Sequence, residues 1–239
     1  MIPLSTAPNL IDQVYDRVVE AITDNSLAPG QPIRQQELAE RLGVSRQPVS
    51  HALHLLHRQG LVTEIGRKGF QVTALQPERI RHLYEVRSAL DAMAARLAAG
   101  RGAEDPQGLA ELALALRAGE HVDPATPLAE LIALDVGFHH AVYRLSGNPV
   151  IEESLAPLWP HMRRSMASVL APKARLHDIW SEHEAIGACI FAGDAEGAAQ
   201  AASRHALNAG RATEDRLNAA GAGTRDTVPD TWNVKLKHL

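Results

Sequence analysis

The chain has 239 residues, 45% of them apolar and only 4% aromatic, and a net charge of −4. That length suits one large or two modest domains, and the charge excludes a protein with a basic field over its whole surface. The single cysteine, Cys189, excludes an internal disulfide, and no run approaches the ~18 consecutive apolar residues of a membrane span.

In chain order, Leu10, Val14, Val18, Ala21 and Ile22 recur at helical spacing and predict a helix over about 10–24. Pro3 and Pro8 interrupt the residues before it, so no secretory leader is expected and the cytoplasm is the expected compartment. "LAPGQPI" (27–33) reads as a turn, and "QQELAERLG" (35–43) as a short helix closed by Gly43. Ser45 is a suitable N-cap for a third helix, about 46–59, with Val49, Ala52, Leu53 and Leu56 on its core face. "LVTEI" and "FQVTA" alternate as strands around Gly66-Arg67-Lys68-Gly69, a hairpin. Three helices and a hairpin within about 75 residues make a winged helix-turn-helix. From Pro77 onward the patterns are helical only, over about 78–99, 105–119, 127–146, 149–170, 173–193 and 195–219. Cys189 lies in the apolar run 186–191 of this half and reads as a small buried hydrophobe. The expected fold is therefore mostly α: a winged domain over 1–76, an all-helical bundle over 77–220, and a flexible tail over 221–239.

Charge is distributed unevenly at short range. Residues 1–76 balance seven basic against seven acidic side chains, but 34–68 hold six basic against three acidic. This local patch suits a modest contact with double-stranded DNA. In a helix-turn-helix the second helix enters the major groove with its N-terminal residues at the base edges. Ser45 can reach a phosphate there, Arg46 can contact a phosphate or fork onto guanine, and Gln47 can both donate and accept at a base. Arg34 before the preceding helix, and Arg67 and Lys68 in the wing, can hold the backbone or enter the minor groove.

The stretch "APGQPIRQQELAERLGVSRQPVSHALHLLHRQGLVTEIGRKGFQV" resembles the DNA-binding domain of the GntR family of bacterial transcription regulators. The family usually has Arg then Glu after "PV", where this chain has Ser50-His51. The resemblance makes that Arg a DNA contact. Its loss is expected to alter the operator or to shift the load to Gln47, His51 or Arg46.

In the helical half, Asp135 and His139 in "LDVGFHHAVYRLSGNP" stand four apart and share one helix face. A carboxylate and an imidazole so placed suit a divalent ion, and equally an ordinary hydrogen bond. His183 and His205 lie on separate helices among small or apolar neighbours. The pieces "LYEVRSALD", "LDVGFHHAVYRLSGNP", "SEHEAI" and "AGDAEGAAQAASRH" are similar to the FCD domain, the all-helical effector module of the FadR-like branch of the same family. That resemblance assigns Asp135, His139, His183 and His205 as ligands of one divalent transition metal ion per subunit, Zn, Ni or Mn. It also implies that Arg87, with Asn148 or Arg164, binds a small organic acid. Arg87 is by its spacing equally a surface partner of Glu85 or Asp91, and Asn148 equally ordinary turn chemistry. The expected protein is a dimeric, ligand-responsive regulator, a repressor of a catabolic operon, on a pseudo-palindromic operator. The alternative is a metal-dependent hydrolase using the same Asp/His/His/His set.

Overall fold

A computed structural model of the chain describes residues 10–66, 69–170 and 174–223. It divides the chain into two compact units, with a boundary between Ala74 and Leu75.

The first unit holds α1 (Leu10–Thr23), β1 (Pro32–Ile33), α2 (Gln35–Leu42), α3 (Arg46–Arg58), β2 (Val62–Ile65) and β3 (Gly69–Val72). Val14, Val18 and Ile22 of α1 meet Val49, Leu53 and Leu56 of α3, with Phe70 and Val72 of the sheet closing the core. The stripe expected on α3 is thus buried. Gly43 ends α2 in the left-handed region, at φ 64°, which a side chain would disfavour. Ser45 holds the N-cap position of α3, but its side chain makes no capping hydrogen bond, so the expected position stands and the expected bond does not. The predicted turn over 27–33 also does more than turn. Pro32 and Ile33 pair antiparallel with Gln71 and Phe70, giving a three-stranded sheet of order β1-β3-β2. Two residues are too few for a strand period to register in sequence.

The second unit contains α4 (Pro77–Arg101), α5 (Pro106–Glu120), α6 (Leu128–Ser146), α7 (Pro149–Leu155), α8 (Trp159–Leu170), α9 (Leu176–Phe191) and α10 (Ala195–Gly223). Proline at the first position of α4, α5 and α7 forgoes an N–H that a helix start leaves unpaired anyway. The one helix expected over 149–170 is broken by a 3-10 turn, Ala156–Leu158. Pro157 can neither donate to an α-helical carbonyl nor avoid the one four residues back. The last helix extends to Gly223, so the expected tail begins no earlier than 224, outside the described residues. Cys189 is half-buried against the core rather than enclosed by it.

The two long helices α4 and α10 pack along each other and put Ala94, Ala95, Ala98, Ala198, Ala201 and Ala202 into the core. These small side chains let the backbones approach closely. At Gly119 of α5, a Cβ would lie 2.1 Å from the Trp180 ring of α9. Gly119→Ala is expected to cost about 1–3 kcal/mol by overpacking, read from the urea midpoint. An unchanged midpoint would mean that Trp180 moves aside freely.

Candidate metal centre and nucleic-acid face

In the first unit, the burial of Pro48, Val49, Ala52 and Leu53 turns the other side of α3 outward. Ser45, Arg46, Gln47 and His51 are exposed there and Ser50 is half-buried. The first turn of α3 carries no acidic residue, so nothing opposes the partial positive charge of its N-terminus. Arg34 is exposed at the start of α2. Arg67 and Lys68, the two wing candidates, lie outside the described residues. His54 and His57 pack edge-on to Phe70, and His57 Nδ1 bonds the Val62 carbonyl oxygen, which gives both packing roles.

The second unit brings Asp135 and His139 of α6, His183 of α9 and His205 of α10 together in its interior. A ring nitrogen from each of the three histidines lies within 4.8 Å of the others. The Asp135 carboxylate closes the group, 3.6 Å from His183 Nε2 and 3.8 Å from His139 Nε2. None of the four residues is more than 5% exposed, so their polar atoms must be satisfied within the interior.

Hydrogen bonding fixes which nitrogens carry protons. Arg87 Nη2 lies 2.6 Å from His139 Nε2. A guanidinium can only donate, so Nε2 offers its lone pair and the proton sits on Nδ1, facing Asp91 Oδ2 at 3.9 Å. Glu182 Oε2 lies 2.8 Å from His205 Nδ1. An ionised carboxylate can only accept, so His205 also turns a lone pair inward from Nε2, which stands 3.3 Å from His183 Nε2. The hydrogen bonds from His205 and from Asn208 outweigh the effect of burial and hold the Glu182 carboxyl below its ordinary range. Burial, and then the neighbouring Arg87 and histidines, keep His139 and His183 neutral well below the usual imidazole range. Burial raises Asp135, against the pull of His205 and Arg87.

The His205 Nε2 lone pair and the Asp135 carboxylate therefore face one small space with His183 Nε2, the His139 Nε2 lone pair at its edge accepts from Arg87, and His183 Nδ1 is buried with no hydrogen-bond partner. His183 Nε2 can donate to His205 Nε2 across 3.3 Å, and a cation in that space would take the place of this proton. This mixed N/O set suits a divalent transition metal, and the carboxylate behind His205 is the outer-shell partner that metal-binding histidines usually have. The residues fit the ion that the four-residue pattern implies.

Arg87 is not a surface residue. It is 1% exposed, donates from Nε to Asp91 Oδ2 at 3.1 Å, and lies over the rings of Tyr84 and Trp159. Although burial works against its charge, Asp91 and the nearby tyrosines hold it protonated above the ordinary range. Tyr143 donates to the other Asp91 oxygen at 2.6 Å, and burial together with that carboxylate raises Tyr143 well above an ordinary phenol. A small cavity of about 30 Å³ adjoins this cluster, and Arg87, Asp135 and His205 line it together with Tyr84. Arg175 and Glu182, both half-buried, add one charge of each sign, and Met166 and Ile179 supply an aliphatic wall.

The structure does not bring Asn148 or Arg164 to that cavity. The Asn148 side chain accepts from Val150 N and caps α7. Arg164 is buried, and desolvation pulls it down to about 10. His140 turns away from the centre, as expected, to Glu152 and a stack on Trp159. Sequence reasoning missed Tyr84, Glu182 and Arg175. Tyr143 was missed too, although 135, 139 and 143 form one stripe on α6. No spacing reveals that Glu182, beside one metal-ligand candidate on α9, serves another on α10.

Comparison with known proteins gives the context. The family described as "Bacterial regulatory proteins, gntR family" matches residues 10–72, and the "FCD domain" matches residues 82–208. The chain is 30% identical to the "Probable D-xylose utilization operon transcriptional repressor" of Paenarthrobacter nicotinovorans, over 84% of this chain and 87% of that protein. It is 29% identical to the "Uncharacterized HTH-type transcriptional regulator YdhC" of Bacillus subtilis over 57% of this chain, a match that spans 60% of that relative's length. Among solved structures, E. coli McbR/YncC superposes with a TM-score of 0.74 at 24% identity, covering 88% of this chain and all of the other, which establishes a shared fold.

Proposed function

Because the chain belongs to the GntR family of bacterial regulatory proteins with an FCD domain, we propose that it is a metal-dependent sensor of a small organic acid that controls a catabolic operon by binding a pseudo-palindromic operator as a homodimer. The family makes it a transcription regulator rather than an enzyme, and the hydrolase reading is set aside with that. The sense of control is repression, as the name of the Paenarthrobacter relative states for that protein. No helix among the described residues is long and apolar enough to cross a membrane, and the proposed operator puts the protein in the cytoplasm.

The observation that carries this reading is a buried Asp135/His139/His183/His205 group bordering a cavity that also exposes Arg87. Zn, Ni or Mn held there would supply open coordination positions to a carboxylate oxygen. Arg87 presents a forked donor already oriented by Asp91, which suits the same carboxylate. Arg175 at the wall adds a second positive charge for the acid's far end. The acid shifts the operator equilibrium only by its different affinity for the two arrangements of the dimer, typically ~1–3 kcal/mol.

On the DNA side, Arg46 and Gln47 read bases, Ser45, Arg34, Arg67 and Lys68 hold phosphates, and Ser50 and His51 set a preference different from that of relatives with Arg-Glu. Arg46→Ala is expected to weaken operator binding by about 1–3 kcal/mol, roughly 5- to 150-fold, in a fluorescence anisotropy titration at fixed salt, with metal content unchanged. Equal affinity in the two proteins would remove Arg46 from the reading surface.

A further inference from the structure

Away from the metal centre, α4 and α10 form an open groove on the outside of the second unit. Its volume is about 400 Å³, the scale of a small-molecule site. The cavity beside the metal centre holds only about 30 Å³, room for a carboxylate and little else. The floor of the groove is apolar, made by Ala92 of α4 with Ala199 and Leu207 of α10. Its rim is polar and cationic. Ser203, Arg204 and Arg211 follow one another along the outward face of α10, and Arg96 borders the groove from α4.

The charges of this rim are only partly matched. Arg96 forks onto Glu196 at 3.0 and 2.8 Å. Arg204 and Arg211 are exposed, and no carboxylate among the described residues pairs with either. Seven residues separate them, two helical turns or about 10 Å of rise, with Leu207 and Asn208 between. Two like charges on one wall repel each other, and an anion set between them relieves that repulsion. Asn208 adds a donor at the same place. Its Nδ2 donates one hydrogen to Glu182 Oε1 at 2.7 Å, and an amide nitrogen carries a second.

The number of donors selects the anion. One guanidinium fork is enough for a carboxylate. Here two guanidinia, the Ser203 hydroxyl and the Asn208 amide border the same space. A phosphomonoester brings three acceptor oxygens and close to two negative charges, and the second charge counts at an exposed site where salt screens attraction. We propose that the α4–α10 groove binds a phosphorylated small metabolite, with its phosphate between Arg204 and Arg211 and its carbon body on the Ala92/Ala199/Leu207 floor. This site is separate from the acid-binding cavity and does not depend on the metal-sensor reading.

A phosphorus NMR titration of glycerol phosphate with the full-length chain tests it, at fixed ionic strength and without metal, so that phosphate cannot coordinate the ion. The expected dissociation constant is about 1 mM, the scale of two charge-assisted hydrogen bonds. Inorganic phosphate should bind more weakly, because it leaves the floor empty. Arg204→Gln joined to Arg211→Gln should weaken glycerol phosphate at least about 10-fold. Its urea midpoint should stay that of the wild type, since both side chains are exposed. Arg87→Met joined to Asp91→Leu, which alters the inner cavity alone, should bind glycerol phosphate as the wild type does. Undiminished binding by the Arg204/Arg211 variant would overturn the proposal, as would no saturation by the wild type. Binding lost in the Arg87/Asp91 variant instead would place the phosphate in the inner cavity. Inorganic phosphate bound as tightly as the ester would overturn the metabolite assignment. A variant that loses only affinity for duplex DNA, from a wild type that ignores both phosphates, would give the groove to the DNA backbone and overturn the proposal too.

Discussion

Replacing His183 with alanine is expected to abolish metal binding, taking the purified protein from about one ion per subunit to near none by elemental analysis. His183 is fully buried and stands between Asp135 and His205, so its loss takes one of the four ligands out of an enclosed group. Its Nδ1 makes no hydrogen bond, so the substitution breaks no other polar contact on that side of the ring. The wild-type chain should gain about 2.7 kcal/mol when free metal stands at a hundred times its dissociation constant, a rise of roughly 5–10 °C in Tm for a protein of this size. The variant should gain nothing. Because the ring also stacks on Phe138, His183→Ala will lower the metal-free Tm by lost packing, so the deciding quantity is the metal-dependent shift within each protein. Operator affinity without effector should stay near that of the metal-free wild type. An ion retained at full occupancy would refute the proposed ligand set.

How far the sequence reveals this centre depends on whether the signal is local. Asp135 and His139 share a helix face, and their spacing alone suggests a ligand pair. His183 and His205 come from separate helices, and only family resemblance could join them to it. The winged domain was legible because its signals are local: an apolar stripe on α3, a left-handed glycine after α2, alternation in β2 and β3. The strand at Pro32–Ile33 was not, because it exists only through pairing with β3. The break at Pro157 could have been read from proline alone, yet apolar periodicity carried the predicted helix straight through it.

Arg87→Met is expected to cost about 3–5 kcal/mol, the scale of removing one partner from a buried ion pair. Asp91 would be left 3% exposed with only the Tyr143 hydroxyl as its close donor. That carboxylate must then be desolvated without a counter-charge, and the folded state bears the cost. Joining Asp91→Leu to Arg87→Met removes the stranded charge and should recover most of the loss, since replacing a buried pair by apolar groups is often close to neutral. A urea-unfolding cycle of the metal-free proteins, with both single variants and the double, measures the coupling. A single-variant cost under about 1 kcal/mol, or a double variant no more stable than Arg87→Met, would show that the pair is not a unit. The double variant also separates two roles that the wild-type arginine combines. Asp135, His139, His183 and His205 are unchanged in it, so it should fold and still take up one ion. It lacks the guanidinium that Asp91 fixes against the cavity, so small organic acids should no longer stabilise it or release it from the operator. If the double variant still answered an acid that acts on the wild type, the anion would be held through the metal and Arg175, and Arg87 would serve only to hold the helices together.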